Sequence, residues 1–208
     1  MTPETKPSPK PKKGFFICIE GLDGCGKTTQ TKLLVDRLRK KYSAVYSAEP
    51  SQGKIGQFIK EYFLHGETRG SAIVEALLFA ADRYEHVKNE ITPALNQGKL
   101  VVSDRYLYSS LAYQGAAGVD LDWIRTINRD AIRPDLAIFI DVDPESVVRR
   151  LKPRRSVMEN LQTQKKVREL YLKFVDHKEL VRIDGNQELN AVSEEIMKVV
   201  SAFLQKSS

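Results

Sequence analysis

Short apolar runs alternate along this chain with longer stretches in which apolar residues recur every three or four positions, and the alternation predicts strands and helices in turn. Residues 15–20 read as a buried strand, followed by a glycine-rich turn and a helix over 27–41. Leu33, Leu34 and Leu38 give that helix its apolar stripe. A short strand is expected at 44–47 and a helix at 55–64, with Gly66 as its stop. Residues 71–96 read as one long helix, or two in sequence with the break at Thr92 and Pro93, where proline removes a backbone donor. Strands follow at 100–102, 136–142 and 180–183, and helices at 109–116, 121–131, 145–151 and 189–204. Five apolar strands separated by helices predict an α/β three-layer fold: a five-stranded parallel sheet flanked by helices on both faces.

The length of 208 residues suits one domain with a sizeable core, and 41% hydrophobic with 29% charged residues is ordinary for a soluble protein. No apolar run approaches the ~20 residues of a membrane span, so no membrane association is expected. Residues 1–13 have neither the apolar centre of a secretory signal nor an Arg-rich amphipathic pattern. Pro3, Pro7, Pro9 and Pro11 alternate there with Lys6, Lys10, Lys12 and Lys13, which buries too little to fold. A disordered tail is therefore expected ahead of a single domain over 14–208. Cys18 and Cys25 imply no disulfide framework and suit a reducing cytoplasm. The net charge of +6 raises nucleic acid as a partner. The excess is local, however: four lysines lie in the tail, and Arg149, Arg150, Lys152, Arg154 and Arg155 crowd one short segment. A small polyphosphate ligand explains such a cluster as well as a duplex does.

Gly21, Leu22, Asp23, Gly24, Cys25, Gly26, Lys27 and Thr28 fit G-x-x-x-x-G-K-S/T, between a buried strand and a helix start, with Thr29 next. Glycines let the backbone curl so that successive N–H groups point at phosphate oxygens, and the helix N-terminus favours an anion. Lys27 would reach the β- and γ-phosphates, and the Thr28 hydroxyl would coordinate Mg²⁺. A tight turn with a chance lysine is the plainer account, and the common register of motif, strand and helix opposes it. A nucleoside triphosphate ligand follows. Cys25 has two readings, a small residue that packs in the loop or a thiol activated by the loop's donors.

The chain lacks an Asn-Lys-x-Asp guanine-reading segment and the acidic pair that closes an apolar strand in many ATPases. Asp104, Arg105 and Tyr106 follow the 100–102 strand instead, at the sheet edge where ligands bind in such folds. Asp104 would hold Mg²⁺ or its water, and Arg105 would bridge phosphate oxygens; alternatively the pair is a surface ion pair. Asp104-Arg105-Tyr106 with Ser109 and Ala112-Tyr113-Gln114-Gly115 resembles the D-R-Y/F/H-x-x-S-x-x-A-Y-Q segment of thymidylate kinases. Phe79-Ala80-Ala81-Asp82-Arg83 resembles their L-F-x-A-D-R segment, Glu49-Pro50 their E-P turn, and Phe139 to Pro144 their apolar strand ending in D-x-x-P. The resemblance covers about residues 15–204.

It implies an ATP-dependent, Mg²⁺-assisted conversion of dTMP to dTDP on a P-loop fold. Phe79 would stack on thymine and Arg83 would donate to its carbonyl edge; an isolated pair of this spacing would instead be a core aromatic and a snorkelling arginine. Tyr113 would lie against the sugar, Asp23 near the 3′-hydroxyl and the transferring phosphates, and Pro50, Arg105, Ser109 and Ser110 around the acceptor. Residues 149–160 occupy the place of a lid, with Arg154 or Arg155 the catalytic cation and Arg149 or Arg150 nearer the adenine; a solvated basic helix end is the alternative. The pattern departs from the family at the E-P turn, where the frequent arginine is missing and Lys54, Lys60 or Arg105 would hold the acceptor phosphate. A homodimer formed through residues 71–87 is implied, and nucleic acid is not. Two rivals remain, a deoxynucleoside or other monophosphate kinase of the same fold and a nucleic-acid-dependent ATPase.

Overall fold

The computed structural model describes residues 14–63, 70–150 and 161–207. In chain order the elements are β1 (Phe16–Gly21), α1 (Lys27–Leu38), β2 (Ala44–Ala48), α2 (Lys54–Phe58), α3 (Ala72–His86), α4 (Thr92–Asn96) and β3 (Leu100–Asp104). After them come α5 (Leu107–Ala116), α6 (Leu121–Ile127), β4 (Leu136–Asp141), α7 (Pro144–Arg150), α8 (Leu161–Asp176), β5 (Val181–Asp184) and α9 (Leu189–Ser207). The five strands form one parallel sheet in the order β2-β3-β1-β4-β5. Phe16, Ile17, Cys18 and Ile19 of the central strand are completely buried. Each large apolar side chain buried so fully contributes about 1.5–3 kcal/mol, and the helices packed on both faces of the sheet provide that burial.

Register places the site. Ile19 is level with Asp104 of β3, and Gly21 with Ile140 of β4. The loop leaving β1 therefore emerges beside the chain leaving β3, at the carboxyl edge of the sheet.

The elements differ from the expectation in several places, among them the helix expected at 55–64, which is α-helical over Lys54–Phe58 and π-helical over Ile59–Phe63. The long helix over 71–96 is interrupted before Pro93: Val87–Ile91 forms a wider π-helical turn between α3 and α4. A proline ring crowds the carbonyl one turn back, and the wider turn accommodates it. α6 stops at Ile127 because Asn128 leaves the helix and turns its amide to Ile124 O at 2.8 Å. Helix α8 has no counterpart in the periodicity reading; Val167, Tyr171 and Phe174 form its buried stripe. The expected tail at 1–13, the Gly66 stop and most of the lid segment lie outside the described residues.

Candidate active site

The loop between β1 and α1 turns on its glycines. Gly26 has φ 95°, a left-handed conformation that strains any L side chain, and it caps α1. At Gly21 a Cβ would stand 2.8 Å from the carbonyl oxygen of Ile140. Lys27 is buried, its ammonium donating to Leu22 O at 2.7 Å. The Thr28 hydroxyl donates to Asp104 Oδ2, which joins α1 to the end of β3. Asp104 Oδ1 is buried without a hydrogen-bond partner of good geometry among the described residues. Beside it the Tyr46 phenol is pushed up to about 12 by burial and then by the negative charge of Asp104. A hydroxyl and a carboxylate with an unmet lone pair form a hard-oxygen donor set that fits Mg²⁺. Burial raises the Cys25 thiol, with Lys27 opposing, so of its two readings packing is favoured.

Across the loop, Arg105 leaves β3 with φ 72°, rare for a residue with a side chain. Its conformation is over-determined. The backbone N–H donates to Ile19 O at 2.9 Å, the guanidinium pairs with the Asp23 carboxylate, and Nη1 donates to Ser109 Oγ at 2.9 Å. The same guanidinium lies 5.1 Å from the centre of the Tyr113 ring. Behind it sits Glu20, fully buried, accepting from Tyr106 N–H at 2.9 Å, Ser109 Oγ at 2.6 Å and Tyr171 Oη at 3.0 Å. Burial pushes the Glu20 carboxyl up, and these donors with Arg105 offset only part of that. For Asp23 the balance reverses: burial would raise it, but Arg105 and Lys27 outweigh burial and hold the carboxyl below its ordinary value. The Asp23 N–H donates to Tyr113 Oη at 3.0 Å.

One cavity opens beside this pair. Asp23, Pro50, Phe79, Arg83, Arg105, Ser109, Ser110 and Tyr113, all eight residues expected around the acceptor, line it. Helix α3 supplies Phe79 and Arg83 one turn apart, and α5 supplies Ser109, Ser110 and Tyr113. Arg83 is 1% exposed and held from three sides: Nη2 donates to Glu49 Oε2 at 2.6 Å and Ser110 Oγ at 3.2 Å, and Nη1 donates to Asn128 Oδ1 at 2.6 Å. The turn that carries Pro50 is tied to the same helix, since Ser51 N–H and Oγ both donate to the Asp82 carboxylate.

A family model described as Thymidylate kinase matches residues 19–196. The chain belongs to the thymidylate kinase family. A probable thymidylate kinase of Pyrococcus abyssi is 44% identical over 197 residues, which is 90% of this chain and 96% of that one. A probable thymidylate kinase of Thermococcus gammatolerans is 45% identical over 185 residues, 84% and 89% of the two chains. The thymidylate kinase of Caldanaerobacter subterraneus is 37% identical over 203 residues, 93% and 98%.

At the family's E-P turn, where an arginine is missing here, Lys60 donates to Ser51 O at 2.7 Å, whereas Lys54 is exposed. Arg149 is exposed on α7 and donates to Ser146 Oγ at 3.1 Å of its own helix. Gly24 and Thr29 are exposed along the loop, and Leu22 is buried beneath it. Arg154 and Arg155 lie outside the described residues. The sequence reading missed Glu20, Asp82, His86 and Asn128, which hold the expected residues in place, and Gln114, which lines the cavity. One signal was available: Glu75, Asp82, Arg83 and His86 repeat at helical spacing with the apolar stripe of α3, so they point inward.

Proposed function

We propose that dTMP occupies this cavity and that its phosphate oxygen attacks the γ-phosphorus of ATP held by the loop at 21–28, giving dTDP and ADP. The new P–O bond forms as the bond to the β-phosphate oxygen breaks, and no proton need be removed from the anionic acceptor. The observation that carries the reading is the convergence of all eight acceptor residues on one cavity that shares Asp23 with the phosphate loop, where Asp23 pairs with Arg105.

In this reading Phe79 stacks on the thymine ring and Arg83 with Ser110 faces its carbonyl edge. Tyr113 lies against the sugar, Pro50 closes the cavity, and Asp23 meets the 3′-hydroxyl. Arg105 bridges the acceptor phosphate, with Ser109 fixing its fork, and Lys60 or Lys54 is available near the E-P turn as a point charge. Lys27 and the backbone N–H groups of the loop hold the β- and γ-phosphates. Thr28 and Asp104 would hold Mg²⁺, which when bound neutralises charge developing on the donor phosphates. The lid arginines Arg154 and Arg155 are assigned the remaining charge stabilisation, with Arg149 toward the adenine.

A deoxynucleoside acceptor would need a general base near its hydroxyl. Asp23 is held below its ordinary value by Arg105, and Glu49 is committed to Arg83 and His86, which supports a monophosphate acceptor. A coupled assay of ADP formation across dTMP, dUMP, dCMP, dGMP, AMP and thymidine tests the reading. Preference for dTMP is expected; faster turnover of thymidine or AMP would overturn the assignment of the cavity.

A further inference from the structure

Helix α3 also turns His86 inward, and the transfer just described gives this residue nothing to do. It is 1% exposed. Its Nδ1 stands 3.2 Å from Glu49 Oε1, and its Nε2 meets Ser47 Oγ of β2 and lies 3.6 Å from Glu90 Oε2. A serine, a histidine and a glutamate joined in that order have the connectivity of a hydrolytic triad. The placement argues against one: Ser47 is buried within the sheet, and neither it nor His86 lines the cavity. What the chain of contacts does reach is Arg83, because the second oxygen of Glu49 accepts from Arg83 Nη2 at 2.6 Å.

We propose that His86 is a positioning residue for the guanidinium of Arg83, acting through the Glu49 carboxylate; this rests on the reading that Arg83 faces the base. An ionised carboxylate only accepts, so Nδ1 carries the proton at this contact. That donor fixes Oε1 and thereby aims Oε2 at Arg83. From the opposite side Asn128 Oδ1 accepts from Nη1 at 2.6 Å. Arg83 Nε is buried without a hydrogen-bond partner among the described residues, so the orientation of the guanidinium plane depends on the contacts of its two outer nitrogens and on the Tyr106 ring, whose centre lies 5.0 Å away. Without the His86 N–H, Glu49 keeps its ionic attraction to Arg83 but loses the contact that selects its rotamer. A buried carboxylate oxygen lacking a donor turns to find one. The guanidinium then meets the thymine carbonyl edge off-line, whereas the phosphate loop, on other elements, is untouched.

Three variants separate positioning from bulk packing. His86→Asn places an amide N–H about where Nδ1 stands, His86→Gln places it about where Nε2 stands, and His86→Leu supplies none. The proposal expects His86→Asn to keep the KM for dTMP near that of the wild type. His86→Gln and His86→Leu should raise it about 10- to 100-fold with the KM for ATP unchanged. Should His86→Leu fail to fold, the Asn and Gln pair decides alone. Equal KM values for dTMP in the Asn and Gln variants, or a parallel rise for ATP, would overturn the proposal. Arg83→Lys is the reference. If it leaves the KM for dTMP unchanged, the base contact itself is refuted. If it raises that KM while all three His86 variants behave as wild type, only the positioning role of His86 falls.

Discussion

Arg105 joins the two halves of the site, since one guanidinium pairs with Asp23 on the phosphate loop and reaches Ser109 on the acceptor side. A lysine at this position would keep the charge but could not span both partners with a planar fork. Arg105→Lys is expected to lower kcat by about 100-fold with a small change in the KM for ATP, read from steady-state kinetics. Asp23 gives a prediction in pH. Its folded carboxyl lies below the ordinary value of 3.8, so its stabilising contribution is complete above that value and is lost as pH falls through the lower, folded one. In urea melts the stability gap between wild type and Asp23→Asn should therefore narrow below pH 3.8 and stay constant from pH 5 to 8. A gap that closes near neutral pH would contradict the pairing with Arg105.

At the scale of elements, α8 holds one wall of the site. Tyr171 stacks on Phe139 of β4 with ring centres 4.7 Å apart and donates to Glu20. Tyr171→Phe removes only the hydroxyl and should cost about 1 kcal/mol, while Tyr171→Ala should cost about 3–5 kcal/mol, both measured by thermal or urea unfolding. The sequence did not announce α8, because Lys165, Lys166, Arg168 and Glu169 make its short apolar stripe look like a solvated segment. Arg168 is in fact turned to Asp141, its Nε donating to Oδ1 at 2.6 Å, which only the fold brings near. The same limit hid the network behind Arg83. Phe79 and Arg83 were marked only by the resemblance of their segment, since their spacing alone reads as a core aromatic and a surface arginine, and Asp82, His86 and Asn128 acquire meaning through partners 31 to 45 residues away in the chain. The strand, glycine turn and helix start around residues 21–28 were legible, since they read in succession along the chain, whereas the contacts of Asp23 with Arg105 and of Thr28 with Asp104 were not.

The whole molecule is a sheet whose order puts β1 between β3 and β4, so both neighbours of the loop at 21–28 contribute to it. That order follows from the alternation of strands and helices only in part, because periodicity sets the parallel class but not which strand lies beside which. On the outer face of α3, Ile73, Val74 and Leu77 are 53%, 46% and 47% exposed. Burial of this patch against a second copy is the reading proposed for the dimer expected from the sequence. Leu77→Glu should then shift the sedimentation coefficient to that of a monomer, and an unchanged wild-type monomer would remove the dimer from the account.

The central claim is that dTMP sits in the cavity between Phe79 and Arg105, and calorimetric titration of dTMP into the wild type and Phe79→Ala tests it most directly. Stacking on an aromatic ring contributes about 1–3 kcal/mol, so the account predicts one site per chain, weakened about 5- to 150-fold in the variant, with ATP binding retained. Equal affinity of dTMP for the two proteins would contradict it.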